Sequence, residues 1–458
     1  MLFERIEQKG LAAYFYVIGD QGEAVVIDPR RDCQVYLELA ADQGMHITHI
    51  LETHRHEDFV LGSKELAARS GAVVWHADRQ WTHAYGQPAE SESWQVGRLS
   101  IQALSTPGHT PGSLSYLLSD AEANPWAVFS GDTLFSGEVG RVDFLGMEEA
   151  PRWADALYHS LFGVLLPLGD GILLCPAHGA GSLCGGAITE RAWTTIGLER
   201  KSNPALQTKS REEFQLRFVH RLEFPPYFTR MERWNLDGSP SFCCLPLLPS
   251  LPPARFARMQ EEALVLDLRS PLAYCAAHIH GSLSIWEDSL ASYAGWFLPE
   301  DRPILLVSEG IPSQEALLTL LRMGFDRLSG YLQGGLLTWQ MAGFPTTGLS
   351  GISAADLCAV LDGSAAANIV DVRNQEERER DGVILESLHI PLVELPGRFP
   401  EIPRGGQLCL LCSSGVRSVI AASLLERAGW HECSASANLV VVQGGMTAWN
   451  AQICPPPP

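Results

Sequence analysis

Three things are scarce in this chain of 458 residues: positive charge, long apolar runs and any regular spacing of cysteine. Lysine and arginine number 33 against 53 aspartates and glutamates, a formal net charge of −20. Nucleic acids and anionic membrane surfaces are held through cationic patches, so neither is expected as a partner. No apolar stretch approaches the roughly 20 residues that a membrane-crossing helix requires. The first residues, Met1-Leu2-Phe3-Glu4-Arg5, enter an amphipathic segment without the basic start and apolar stretch of a secretory signal, and a cytoplasmic protein is expected. The eleven cysteines are odd in number and scattered, unlike a disulfide framework, which points to reduced thiols. Cys409 and Cys412 have C-x-x-C spacing, but Cys409 lies inside Leu408-Cys409-Leu410-Leu411, where a small buried apolar residue is expected. Adjacent Cys243 and Cys244 sit in a proline-rich stretch and are read as having no functional role.

What the chain does have is length and repetition. Its size exceeds one compact core, and about three domains is the natural expectation. In the C-terminal half Val265-Leu266-Asp267-Leu268-Arg269 answers Ile369-Val370-Asp371-Val372-Arg373. Gln333-Gly334-Gly335 with Trp339 likewise answers Gln443-Gly444-Gly445 with Trp449. A period of about 105–110 residues gives two copies of one domain rather than a short solenoid. In each copy a short apolar run precedes a helix-like stretch (304–307 then 314–323; 408–411 then 416–428), which argues for α/β units with parallel sheets. Residues 241–254 are rich in proline and read as a stiff linker. The expected organisation is therefore an N-terminal domain over 1–240, the linker over 241–254, and copies over 255–348 and 352–454.

Four loops of the N-terminal domain carry metal-type side chains. They are His54, His56 and Asp58 in Thr53-His54-Arg55-His56-Glu57-Asp58-Phe59, then His109 after Thr106-Pro107-Gly108, Asp132 after Ser130-Gly131, and His178 after Pro176-Ala177. Each follows an apolar run, so each is expected at a strand end facing one cleft. A lone histidine is more often hydrogen-bonded than a ligand, but four such loops are not lone. The series resembles the metallo-β-lactamase superfamily, which implies an αββα sandwich.

In that superfamily the first loop reads His-x-His-x-Asp-His and serves up to two metals. Here His54, His56 and Asp58 match, but Phe59 stands where the last histidine is expected, and a phenyl ring cannot coordinate. The departure argues against the two-metal hydrolysis of glyoxalase II-like members. The chain more closely resembles the persulfide dioxygenases of the superfamily. That resemblance implies one Fe(II) per chain on His54, His109 and Asp132, with His56, Asp58 and His178 orienting the ligands or serving as alternative ones. Zinc would satisfy the same donors. Two imidazoles and one carboxylate leave about three open positions, an arrangement suited to Fe(II) and O2. Gly140-Arg141-Val142-Asp143 extends the resemblance and offers Arg141 as a fork for a substrate carboxylate or for Asp143. Cys184, just after the His178 loop, is expected to be a buried structural thiol.

The loop Cys412-Ser413-Ser414-Gly415-Val416-Arg417-Ser418 ends a strand-like run and opens a helix-like one. A cysteine there faces unpaired N–H groups and the positive end of the helix dipole. With Arg417 beside it the thiolate is favoured, and the thiolate is what attacks sulfane sulfur. With Asp371-Val372-Arg373-Asn374 upstream and Gly444-Gly445-Met446 and Trp449 downstream, the loop resembles that of a rhodanese domain. The Cys-x5-Arg loop of tyrosine phosphatases is one residue longer and suits phosphate. In the first copy, aligning Gly310 with Gly415 puts Val307 at the cysteine position and Pro312 at the arginine position, so that copy is expected to be silent. A spacer, a docking surface or part of a homo-oligomer interface are the roles left to it.

The order of domains resembles fusions of a persulfide dioxygenase with a sulfurtransferase. It implies oxidation of glutathione or coenzyme A persulfide by O2 to sulfite, with sulfane sulfur passed through Cys412 to sulfite as thiosulfate. Two alternatives stand beside it: a glyoxalase II-like zinc thioester hydrolase carrying rhodanese domains, and a non-enzymatic persulfide sensor or sulfur-trafficking protein.

Overall fold

Alternating burial along the strands sets up two packed layers in the N-terminal half. The computed structural model describes residues 1–78, 86–88, 91–182, 184–221, 223–242, 245–362, 367–404, 406–430 and 438–453. Cys243 and Cys244 lie outside them. The chain divides into one unit of Met1–Leu245 with Leu318–Gly324, and a second of Pro246–Leu317 with Phe325–Pro458.

The first unit holds two sheets. One runs β1 (Leu2–Gln8), β2 (Ala13–Asp20), β3 (Glu23–Ile27), β4 (His46–Leu51), β5 (Val73–Trp75), antiparallel up to β3 and parallel after it. The other comprises β6 (Ser93–Val96), β7 (Leu99–Ser105), β8 (Leu114–Ser119), β9 (Pro125–Gly131), β10 (Leu173–Pro176) and β11 (Thr194–Thr195), in the order β11-β10-β9-β8-β7-β6. Successive side chains of a strand point to opposite faces. Thus Ala127 and Phe129 of β9 join Tyr16, Ile18, Val25 and Tyr116 in the core between the sheets, while Val128 joins the outer core. That outer core is closed by the helix Ala150–His159. Its Ala150, Ala154 and Leu157 recur at the i, i+4, i+7 spacing of a single helical face. On the other side the helices Gln34–Asp42 and Ser63–Ser70 pack on β4. The result is an αββα sandwich. The N-terminal segment, amphipathic in sequence, is the edge strand β1.

The second unit contains the two copies, each with one parallel five-stranded sheet. The first comprises β12 (Ser250–Leu251), β13 (Leu264–Asp267), β14 (Leu283–Ser284), β15 (Ile304–Val307) and β16 (Leu328–Leu332), in the order β12-β16-β15-β13-β14. The second comprises β17 (Ser350–Ser353), β18 (Ala367–Asp371), β19 (Leu388–His389), β20 (Gln407–Leu411) and β21 (Asn438–Gln443), in the identical order β17-β21-β20-β18-β19. Strand β12 and the start of the helix Pro253–Met259 fall inside the proline-rich stretch 241–254, so its end is built into the first copy rather than spanning a gap.

The repeated Asp-x-Arg is one buried device used twice. Arg269 donates to both oxygens of Asp267 (2.9 and 2.6 Å), and Arg373 to both of Asp371 (2.9 and 2.7 Å). Each arginine also donates to a backbone carbonyl, of Ala277 or Gly382, which ties the strand end to the helix after it. The two copies are themselves joined. The helix Val416–Arg427 presents Val419 and Ile420 to a core that includes Tyr274, with Cys275, Tyr293 and Phe297 packed against it. Buried Glu426 accepts from His278 Nε2 and His280 Nδ1, both at 2.9 Å.

Reduced thiols throughout were expected, but Cys358 is disulfide-bonded, because scattered spacing carries no signal of which cysteines meet in space. Cys33, Cys175, Cys184, Cys275, Cys409 and Cys412 are free. Cys409 is buried in β20, where burial pushes its thiol up to about 11.

Replacing Glu426 by Gln removes a buried carboxylate shared by two histidines. The Glu426→Gln variant is expected to lose about 1–3 kcal/mol, the scale of a charged hydrogen bond. Calorimetry should then show a lower melting temperature for the C-terminal unit.

Candidate functional site

The four loops follow β4, β7, β9 and β10, and they bring three donor atoms together. Asp132 Oδ2 lies 3.6 Å from His54 Nε2 and 3.5 Å from His109 Nε2. All three residues are buried, and none of these three atoms has a hydrogen-bond partner. Buried polar atoms are ordinarily satisfied, so three unsatisfied ones aimed at one point mark the place of a cation.

The surrounding bonds set each donor's orientation. Thr53 donates its hydroxyl to Asp28 Oδ2 (2.6 Å), so Thr53 Oγ1 is left to accept from His54 Nδ1 (2.8 Å). His109 Nδ1 donates to the Arg141 carbonyl (3.0 Å). Both imidazoles therefore present a bare Nε2 lone pair, the form a metal requires. Burial pushes the His54 pKa well down, with His56 adding to the effect. Burial opposes the charge of Asp132, but His178 and His54 outweigh it and hold the carboxyl below its usual range.

His178 bridges two carboxylates, donating from Nδ1 to Asp132 Oδ1 (2.8 Å) and from Nε2 to Asp58 Oδ2 (2.9 Å). Burial opposes its charge, yet the two carboxylates raise its pKa well above the ordinary value. His178 thus ties Asp132 to Asp58, and it also lies within reach of His56 and Asp58 as a candidate metal donor. His56 turns to Asp28, with Nε2 3.3 Å from Oδ1, and its ring lies on Phe59 with centroids 4.4 Å apart. Phe59 is itself packed edge-on against Phe15 at 5.2 Å. Phe59 therefore contributes a ring and no donor beside His56, Asp58 and His178, whose donor atoms lie close enough together to hold an ion.

Several residues of the site carried no sequence signal. Asp28 holds Thr53 through N–H (2.7 Å) and hydroxyl, and it does so from a left-handed backbone (φ 51°) uncommon for a non-glycine. Glu57 is buried with Oε2 unpartnered, 3.8 Å from His109 Nε2. Asn235, on the helix Phe228–Asp237, donates to the carbonyls of His56 (2.7 Å) and Phe59 (2.9 Å) and accepts from Leu61 N–H (2.9 Å). The turn before Arg141 requires Gly140: a Cβ there would sit 1.9 Å from the Asp132 carbonyl oxygen.

Arg141, offered by sequence as a fork for a substrate carboxylate or for Asp143, makes a two-pronged bond to Asp143 (2.7 and 2.8 Å) and lies over the Phe144 ring. A cavity of about 110 Å³ lies beside His109, walled by Glu57, Arg55, Phe144, Phe224 and Phe228. Cys184 is fully buried with Phe135 and Ile188, and burial raises its pKa well above the thiol norm, as fits a structural thiol.

The second candidate site is the loop after β20. Cys412 is buried and accepts from Gly415 N–H at 3.0 Å. Gly415 (φ 101°) caps the helix Val416–Arg427, so Cys412 stands at its N-terminus. Gly445 (φ 52°) passes directly beneath: a Cβ there would be 2.1 Å from the Cys412 carbonyl oxygen. That approach lets Met446 N–H and Thr447 N–H bond the carbonyls of Cys412 (2.8 Å) and Ser413 (2.9 Å). The Gly-Gly-Met motif is the floor of the cysteine loop.

Arg417 is gripped by Glu377, whose oxygens accept at 2.6 and 2.5 Å. Ser413 donates to Glu377 (2.7 Å) and accepts from Arg417 (3.0 Å). Burial pushes the Glu377 carboxyl up, but the bonds from Arg417 and Ser413 prevail and hold it at about 2. Glu377 also completes a capping box with Asn374, and that Asn-x-x-Glu spacing was the one available signal. Tyr293, from the first copy, feels Arg417, Cys412 and Glu377 together, although burial is the main cause of its raised pKa. Ser414 is exposed, while Ser418 is buried. A cavity of about 620 Å³ opens beside the loop between Glu377, Arg380, Asp381, Ser413 and Met446.

Strand register corrects the alignment of the silent copy. Val307 pairs with Asp267 as Leu411 pairs with Asp371, so Ser308, not Val307, takes the place of Cys412. Counting on, Ser313 rather than Pro312 stands where Arg417 does. Anchoring on the glycine misplaced both by one residue, since the register of the sheet fixes the strand end while the loop glycine is free to differ. The replacement still lacks a thiol and a guanidinium.

Residues 9–178 match the family model of the metallo-beta-lactamase superfamily, and residues 253–342 and 353–452 match that of the rhodanese-like domain. The persulfide dioxygenase ETHE1 of Bos taurus is 30% identical over 244 residues, 49% of this chain and 82% of that protein. The hydroxyacylglutathione hydrolase GloC of Haemophilus influenzae is 28% identical over 214 residues, 42% of this chain and 91% of that protein. Among solved structures, a metallo-beta-lactamase from Staphylococcus aureus aligns with a TM-score of 0.64 at 30% identity, covering 72% of this chain and 98% of that one.

Asn235→Ala would leave two buried carbonyls and a buried N–H unpaired in the loop that carries His54 and His56. Each orphaned group costs about 1–3 kcal/mol. The variant is expected to melt earlier and to retain less metal after dialysis, as read by calorimetry and elemental analysis.

Proposed function

Because the chain belongs to the metallo-β-lactamase superfamily and carries two rhodanese-like domains behind that fold, we propose that it oxidises a low-molecular-weight thiol persulfide with O2 and couples this to sulfur transfer on Cys412. The observation that carries the reading is the convergence of His54 Nε2, His109 Nε2 and Asp132 Oδ2, all buried and without partners. Two imidazoles and one carboxylate suit a single Fe(II) with open positions. Iron held there supplies the O2 chemistry of the overall reaction RSS⁻ + O2 + H2O → RSH + SO3²⁻ + H⁺.

The protein's own residues bind, orient and exclude. The carbonyl of Arg141 and the Thr53 hydroxyl keep the two Nε2 atoms bare, and His178 fixes the Asp132 carboxylate. Phe144, Phe224 and Phe228 give the cavity beside His109 an apolar side, and Arg55, Glu57 and Glu232 a charged one. In that small space a terminal persulfide sulfur and O2 are held together, which turns a bimolecular encounter into a local one. Glutathione and coenzyme A persulfides are the candidate substrates.

The Cys412 loop supplies the second half. Its thiolate takes the outer sulfur of another persulfide: RSS⁻ + Cys–S⁻ → RS⁻ + Cys–S–S⁻. Sulfite then accepts that sulfur, giving thiosulfate and the free thiolate. Gly415 N–H, 3.0 Å from Sγ, stabilises the negative charge of the free thiolate. A two-metal thioester hydrolase, the reading that the GloC relative would favour, is opposed by Phe59 and by the His178–Asp58 bond.

Fe(II)-loaded protein is expected to consume O2 when given glutathione or coenzyme A persulfide, and Asp132→Ala to abolish that uptake. No uptake with either persulfide would overturn the dioxygenase reading. In Cys412→Ser, O2 uptake should persist while sulfite accumulates in place of thiosulfate. Unchanged thiosulfate output would remove the cysteine from the relay.

A further inference from the structure

Every arginine near the Cys412 loop already holds a carboxylate. Arg417 is gripped at both arms by Glu377. Arg380, on the wall of the adjoining cavity, donates to both oxygens of Asp381 at 2.8 and 2.9 Å. Arg373 is spent on Asp371, with Arg378 3.4 Å from the same carboxylate. The charged side chains lining that cavity are Glu377, Asp381 and Arg380, so its wall carries more negative than positive charge. A loop built to draw in a dianion would offer an unpaired guanidinium, because two-pronged donation is how arginine recognises oxyanions. Here the fork is filled by the protein itself.

We infer that Glu377 sets the donor specificity of the Cys412 loop, favouring a thiol persulfide, whose transferable sulfur carries one negative charge, over dianionic thiosulfate. This rests on the sulfur-carrier reading above and adds a donor preference to it. Both donors deliver the same sulfur. From a persulfide, RSS⁻ + Cys–S⁻ gives RS⁻ + Cys–S–S⁻; from thiosulfate, S2O3²⁻ + Cys–S⁻ gives SO3²⁻ + Cys–S–S⁻. In each case the thiolate attacks the outer sulfur, and the bond to the leaving thiolate or sulfite breaks with its electron pair. Glu377 repels the second charge of thiosulfate and keeps Arg417 from compensating it. The same charge slows the approach of sulfite to the loaded cysteine by as much, so Glu377 selects between donors and leaves the equilibrium between thiosulfate and sulfite unchanged. Ser413, bonded to Glu377 and Arg417 at once, keeps the carboxylate at the mouth of the loop. The burial of that cluster strengthens the repulsion, since charges interact more strongly away from bulk water.

The test uses the full chain under anaerobic conditions, so that the metal centre does not consume the donor. Sulfur transfer to cyanide is measured with glutathione persulfide and with thiosulfate, and the ratio of their kcat/KM values is compared across variants. Glu377→Gln keeps a carbonyl for the Asn374 cap but loses the charge. It is expected to shrink the preference for persulfide about tenfold, mainly through a lower KM for thiosulfate. Glu377→Asp keeps the charge and is expected to retain the preference. An unchanged ratio in Glu377→Gln, or KM values for both donors rising together as loss of a purely structural cap would cause, would overturn the inference. So would a wild type that prefers thiosulfate, although Cys412 would then remain a sulfur carrier. Failure of the wild type to transfer sulfur from either donor would overturn that reading and this inference together.

Discussion

Three lone pairs inside the protein, on His54, His109 and Asp132, point at one spot with nothing of the protein's own to receive them. Leaving buried polar atoms unsatisfied is costly, and the N-terminal unit is arranged to hold these three in place in spite of that cost. Strands β4, β7 and β9 deliver the ligands at their ends. Asp28, in a left-handed backbone, fixes Thr53 and through it His54. His178 fixes Asp132 and is held in turn by Asp58, and Phe59 packs its ring against Phe15 and His56. The strain and the unsatisfied atoms lie where chemistry is proposed, a common pattern in functional sites.

The C-terminal unit places a cysteine sulfur at a helix N-terminus, where Gly415 N–H donates to it. Its two copies share a buried Asp–Arg pair, an identical strand order and a glycine placed under the loop after the central strand. What separates them is local. A serine at position 308 and another at 313 remove the thiol and the cation while the scaffold stays intact. The silent copy is not idle packing, however, because Tyr293 reaches the electrostatic neighbourhood of Cys412 and Arg417, and Glu426 locks the active helix to His278 and His280.

Much of this was legible in the chain. The paired parallel α/β units follow from the repeat, and the αββα sandwich was implied by the family resemblance that the four metal-type loops carry. The residues that bear chemistry sit in contiguous motifs, and the substitution of Phe59 was visible as a single letter. What stayed hidden is tertiary. Asp28, Glu57 and Asn235 act on a loop from other elements or by side-chain direction, and no spacing rule reveals that. Arg141 offered two partners in sequence, a substrate or Asp143, and only geometry shows the second taken. Glu377 caps a helix with Asn374, and it is also the partner of Arg417 some 40 positions on, a pairing no local spacing reveals. The one-residue slip at Ser308 arose because loop glycines need not align when sheet register does.

The central claim is that the N-terminal site is built for one metal ion. Protein saturated anaerobically with Fe(II), freed of excess by desalting and analysed for metal and protein together, should contain one iron per chain, and close to none when Asp132 is replaced by Ala. Two metals per chain in the wild type would contradict the account, since they would require His178 and Asp58 to part and coordinate where the structure has them bonded to each other.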